Sequence, residues 1–242
     1  TGDKLYDGIF QNKKKSSKVN IINNFYSSNQ SLIGIEAKDA IELNSILADY
    51  NNILINQIDL NINKLIIDKY QSIPKNKDII AEINSRYGLT MFIDHEYEYI
   101  KNQSDFIWIG RGRPNWGDPY RWIIVREIEK CSKPSTCHLY IQDTFNKLVS
   151  DSSFLLIDNI NTSNFYKYIY QNNYVMGGTY IYSDIKQEGS KLDTIPTAGG
   201  PYISYIYNME NKSILFIGLI NNPGNDKMIY VKQLESIFKE IK

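Results

Sequence analysis

Cysteine, histidine and tryptophan are scarce in this chain of 242 residues, with two, two and three copies. Two cysteines and a neighbouring histidine, in "CSKPSTCH" (131–138), fall short of the four ligands of a structural zinc site. His95 and His138 are the only histidine bases, and neither sits in a triad pattern; the G-x-S-x-G of a hydrolase elbow is missing. Charge of one sign is absent too: Lys+Arg and Asp+Glu are each 27. No field of one sign therefore draws in nucleic acid or a membrane surface. No apolar run approaches the ~20 residues of a membrane helix, and no signal peptide is expected to remain in this stretch. The chain opens on "TGDKLYDGIF" without an initiator Met, so it is expected to be a processed product or a fragment.

What is present is ordinary globular material, 42% hydrophobic and 22% charged. A chain of this length buries roughly 70% of its unfolded surface, enough to fold without a metal. Residues 1–30 read as a polar N-terminal segment, with "KKKSSK" (13–18) as a solvated loop. Residues 31–242 read as one α+β domain, with two similar halves, 31–130 and 138–242, as a conceivable duplication that no residue-level repeat supports.

Along that domain, "SLIGIEAKD" is a strand leading into a helix capped by Asp39 and Glu42. Leu43, Ile46, Leu47, Tyr50, Leu54, Ile58, Ile62, Leu65 and Ile66 then recur at helical spacing, predicting one long helix over 40–70, ended by Pro74. "KDIIAEINSRYG" predicts a second helix with Gly88 as its C-terminal cap. "LTMFIDHEYEYI", "DFIWIG" and "RWIIVREIE" read as strands, and "DTFNKLVSDSSF" (143–154) as a short helix. "YVMGGTYIYSDI", "PYISYIYN" and "SILFIGLIN" are further strands, with "MENK" (209–212) as the turn between the last two. Asn225 caps a final helix whose stripe is Met228, Val231, Leu234, Phe238 and Ile241. Helices followed by hairpins and a closing helix give α+β: antiparallel sheets packed by the long helix and the C-terminal helix. Gly177–Gly178 and Gly199–Gly200 are read as tight-turn or close-approach positions.

The chemistry concentrates in "GRGRPNWGDPYRW" (110–122). It is no phosphate loop, because its glycines lack the spacing, Pro114 interrupts it, and a strand rather than a helix follows. As a hairpin loop of about ten residues it is longer than usual. Arg111, Arg113 and Arg121 can present guanidinium forks to an anion, and Trp116 and Tyr120 can stack on a sugar or peptide. The other reading is self-satisfaction, with Asp118 pairing an arginine and Trp116 capping the sheet. In "DHEYEY", strand alternation puts His95 and Tyr97 on one face and Glu96 and Glu98 on the other. Cys131 and Cys137 are spaced for a disulfide or for two separate thiols.

The segment 199–241 resembles the closing segment of an uncharacterised family of Bacteroidota envelope lipoproteins, domain-of-unknown-function family 4837. Gly199, Gly200, Pro201 and Tyr202 match its strand-opening motif. A charged hairpin, Gly218, Pro223 and Gln233–Leu234–Glu235 follow in the same order. Looser likeness runs back to about residue 30 through "QSLIGIEAKD", "RYGLTMFIDHEYEYIKNQSDFIWI" and "DTFNKLV…YVMGGTY", while 110–122 matches no family motif. The resemblance implies an exported protein held at the cell envelope by a lipid anchor outside this chain, which agrees with a Cys131–Cys137 disulfide. It carries over no catalytic residue and no cofactor. "DTI" (193–195) looks like the O-glycosylation sequon of such bacteria, with Thr194 as acceptor.

The expectation is a non-catalytic binding or scaffolding domain, its partner an envelope protein or a glycan, its site Arg111, Arg113, Trp116, Asp118, Tyr120 and Arg121. The rival is a glycan hydrolase using Glu96, Glu98 or Asp118, which needs two carboxylates ~5–9 Å apart across a cleft. A subunit of a larger assembly would instead expose a sizeable apolar patch.

Overall fold

The computed structural model describes residues 18–25, 30–113, 116–149, 154–157, 166–188, 191–222 and 224–242. The chain divides into two compact units, Thr1–Gln71 and Ser72–Lys242. Most of the KKKSSK run and Pro223 lie outside the described residues.

In the first unit, β1 (Val19–Asn23) pairs antiparallel with β2 (Ser31–Ile35), in register from Val19↔Ile35 to Asn23↔Ser31. β1 falls within the stretch read as a polar N-terminal segment. α1 (Ala40–Gln71) opens as the sequence suggests: Asp39 Oδ1 accepts from the Glu42 amide at 2.8 Å, and Glu42 Oε2 accepts from the Lys38 amide at 2.7 Å. The β1–β2 pair covers one stripe of this helix, burying Ile46 and Leu54 against Val19, with Tyr50 partly enclosed. Gln57 hydrogen-bonds Asn23 and Ser31 at the far end of the pair. The rest of the expected stripe is not covered: Leu43, Leu47, Ile58, Ile62 and Leu65 are exposed.

The second unit begins with α2 (Lys77–Tyr87), closed by Gly88 at φ 69°, the left-handed cap the sequence called for. Its start was not foreseen: Asn76 Oδ1 accepts from the Ile79 amide, and Asn76 Nδ2 donates to Tyr97 O. An antiparallel sheet follows, built from β3 (Glu98–Asn102), β4 (Phe106–Arg113), β5 (Asp118–Glu129), β6 (Phe154–Ile157), β7 (Tyr166–Tyr170), β8 (Asn173–Glu188), β9 (Lys191–Asn208) and β10 (Lys212–Asn221). Their order is β3-β4-β5-β10-β9-β8-β6, with β7 also on β8. β5 and β10, far apart in this unit's sequence, are therefore neighbours within the sheet, paired from Lys212↔Glu129 to Asn221↔Tyr120. β8 and β9 run longer than "YVMGGTYIYSDI" and "PYISYIYN" suggest, and Thr194 sits within β9 opposite Ile185. The folded content is α+β, as expected.

β10 is apolar on both sides, and both sides are buried, as in a strand covered on each face. On one face lies α3 (Pro134–Val149), whose Cys137, Ile141 and Phe145 join Ile124, Met176, Tyr202, Leu215 and Ile217 in one cluster. This helix starts nine residues before the expected "DTFNKLVSDSSF" helix, with Pro134 at its first position, where a missing amide costs nothing. The Cys131–Cys137 disulfide brackets that first turn. On the other face lies α4 (Met228–Lys239), with Leu234 and Phe238 directly over Gly218. A Cβ at Gly218 would stand 2.6 Å from Leu234 Cδ1, so this glycine sets the close approach of helix to sheet. Gly200 does the same between strands, where a Cβ would lie 1.9 Å from Ile220 O. The stripe Val231, Leu234, Phe238 and Ile241 is buried, whereas Met228 is exposed. Asn225 is not the cap: that position is Lys227, which makes no side-chain cap hydrogen bond, while Asp226 Oδ1 accepts from the Met228 amide at 3.0 Å. The 209–212 turn closes as expected, with Met209 N donating to Lys212 O.

Candidate functional site

The site is the β4–β5 hairpin and what packs beneath it. The ten-residue loop of the sequence reading is shorter in the structure, because β4 continues to Arg113 and β5 begins at Asp118. Arg111 and Arg121 are directly paired across the two strands. Like charges so placed repel, and the fold answers with carboxylates. Arg111 Nη1 meets Asp94 Oδ2 at 2.5 Å, and its Nη2 meets Glu96 closely and Asp118 Oδ2 at 3.6 Å. Arg121 Nη2 takes the other oxygen of Asp118, and its Nη1 donates to Gln233 Oε1 of α4 at 3.3 Å. Each guanidinium also lies over a ring, Arg111 over Tyr97 at 6.0 Å and Arg121 over Tyr230 at 5.3 Å. Burial works against the Arg111 charge, but Asp94, then Glu96 and Asp118, outweigh it and hold its pKa above the ordinary value.

The strand alternation proposed for "DHEYEY" does not occur. β3 begins only at Glu98, and residues 95–96 turn after Asp94 bridges to Lys75. That turn is what lets Asp94 and Glu96, two residues apart, reach the same guanidinium, while Tyr97 is buried beneath it. Asp94 and Tyr97 were missed as members of this cluster. The signal lay in the "RGR" and "DHEY" spacings together, which only the β3–β4 pairing brings side by side.

Arg113 is set apart from Arg111 by a bulge in which β5 places two residues, Pro119 and Tyr120, opposite Gly112, whose φ is 127°. A side chain there would collide with Pro119 O, 2.3 Å from the Cβ position. The bulge breaks the two-residue alternation, and Arg113 is exposed at the hairpin end with its guanidinium 5.2 Å over the Trp116 ring. Among the described residues it has no carboxylate partner. Trp116 is 79% exposed. Tyr120 is partly exposed and stacks on Trp122 at 5.7 Å, with Trp108 edge-on to Trp122 at 6.1 Å.

The six candidate residues thus divide. Arg111, Arg121 and Asp118 are joined in one internal ion network. Arg113, Trp116 and Tyr120 face outward, Tyr120 on a base of two further tryptophans. Among the described residues no group of three or more His, Cys, Asp or Glu could hold a metal ion. No described helix is long and apolar enough to cross a membrane.

No curated protein matches the chain. Among solved structures, the human StarD13 (DLC2) lipid transfer and protein localization domain aligns over 67% of this chain and 93% of that one, at 12% identity and a TM-score of 0.27, below the level of a shared fold. The family model "Domain of unknown function (DUF4837)" matches residues 76–240, which takes in α2, the whole eight-stranded sheet and α4. The chain belongs to the DUF4837 family.

Proposed function

We propose that this chain is a non-catalytic binding domain of an exported envelope lipoprotein, and that the end of the β4–β5 hairpin is its contact surface. The observation that carries the reading is the division of the arginines. Two are consumed by carboxylates of their own chain, and the third lies exposed on an exposed tryptophan. Tryptophan and arginine are the residues that most often anchor protein interfaces. A protein partner therefore fits this surface better than an anionic small molecule, since the buried network has no spare positive charge.

Catalysis finds less support. Glu96 and Asp118 are held on one guanidinium instead of facing each other across a cleft, and Glu98 is an exposed residue at the start of β3. The Cys131–Cys137 disulfide suits an oxidising compartment and supports export. The apolar surface left open on α1 supports a place in an assembly.

The test is a pull-down of the tagged full-length protein, crosslinked in its native cell, comparing wild type with Trp116→Ala and Arg113→Ala. The expected result is loss of a stoichiometric partner with thermal stability unchanged within about 0.5 kcal/mol. An unaltered set of partners, or a large drop in stability, overturns the reading.

A further inference from the structure

We propose that α1 carries a second binding surface, a coiled-coil seam that pairs with α1 of another copy of this chain. Ile55, Ile58, Ile62 and Leu65 follow one another at intervals of three, four and three, the spacing of a heptad seam. All four are exposed, as is Leu47, one turn before Asn51 on the same side. At 100° per residue this ridge lies about a quarter-turn from the stripe that the β1–β2 pair covers. The hairpin and a partner helix can therefore occupy α1 together.

Among the described residues, the unit offers little of its own to hold so long a helix. Among the described residues its buried cluster is Val19, Ile46 and Leu54, with Tyr70 buried at the helix end, for a helix of 32 residues. A helix of that length spans about 48 Å, and the hairpin hydrogen-bonds it at Gln57, through Asn23 and Ser31. Further along the ridge, Ile62 and Leu65 are exposed.

The occupant follows from spacing, charge and area. A lipid surface prefers a cationic polar face, but α1 carries Glu42, Asp49, Asp59 and Asp68 against only Lys64 and Lys69. A heptad ridge is complementary to another of the same kind, so a second copy supplies the matching surface by two-fold symmetry. Half-exposed aliphatic side chains each have on the order of 50 Å² of apolar surface left to bury. Five on each of two helices, with the polar rim, bring the contact to roughly 1,000 Å², the lower end for a specific interface. The association is accordingly reversible, in the micromolar range, and not an obligate dimer.

The experiment is sedimentation equilibrium of the full chain from about 1 to 100 µM, for wild type, the seam variant Ile58→Asp/Ile62→Asp, and the off-seam control Leu60→Asp, each checked for unchanged far-UV circular dichroism. Leu60 is exposed but lies off the ridge. The expected result is a concentration-dependent doubling of mass in wild type and in Leu60→Asp, weakened at least tenfold in the seam variant. A monomer throughout overturns the proposal, as does a dimer that the seam variant leaves intact or that Leu60→Asp also abolishes. Binding to anionic vesicles without any dimer likewise overturns it, since that assigns the ridge to lipid.

Discussion

α1 and α4 look alike as sequence: each repeats aliphatic residues at helical spacing between polar ones. In the fold they part company. α4 buries Val231, Leu234, Phe238 and Ile241 on a sheet that leaves out a side chain at Gly218 to receive it. α1 buries Ile46, Leu54 and Tyr70, and leaves nine large aliphatic residues exposed. Periodicity records that a helix has an apolar side. It does not record whether the same chain supplies the cover.

The sharpest way to break this comparison is truncation on each helix. Phe238→Ala should cost about 3–5 kcal/mol, because Phe238 packs on Phe216 at 5.9 Å in a fully enclosed site. Ile58→Ala, measured at a dilution where chains are separate, should cost about 0.5 kcal/mol or less. Equal costs in denaturant melts would mean that α1 is as well covered as α4. Next in size is Arg111→Ala, which takes the guanidinium from the fully buried Asp94 carboxylate and leaves it on the hydrogen bond from the Glu96 amide. About 3 kcal/mol is expected, the lower end for breaking a buried pair. A near-neutral result would move Arg111 from structural anchor to free binding group.

The smallest expected effect is pH-dependent and belongs to α4. Glu235 is nearly enclosed, and burial works to raise its pKa. Hydrogen bonds from Tyr168 and Lys239, with Lys232 nearby, outweigh this and hold it below the ordinary glutamate value. A carboxyl with a lowered folded-state pKa stabilises the fold above the ordinary value, and loses that contribution as pH falls through the folded one. Wild type should therefore lose more stability on acidification than Glu235→Gln. Parallel curves would show that the carboxylate contributes nothing.

Much of the fold could be read from local chemistry. The Asp39–Glu42 start of α1, the Gly88 cap, the 209–212 turn and the α4 stripe each depend on residues within a few positions of one another. The errors came where distant chain decided the matter. Residues 95–96 turn instead of extending because Asp94 is drawn into a bridge with Lys75 and onto Arg111. The 110–122 stretch is dense in charged and aromatic residues, but which of its arginines pair with carboxylates depends on the bulge opposite Gly112 and on the strands across from it. The cap of α4 falls at Lys227, two positions past Asn225, within the usual uncertainty of helix ends.

The pairing of β5 with β10 also sets a timetable for folding. Glu129 meets Lys212 only after the intervening chain has been made, and β10 is the strand that joins β3-β4-β5 to β9-β8-β6. On the ribosome, both flanks of the sheet must wait with open central edges until β10 itself has emerged. Such late, long-range closure is slow, and it leaves hydrophobic strands exposed in the interval. A nascent chain of this kind has reason to depend on a holding chaperone until its keystone strand arrives.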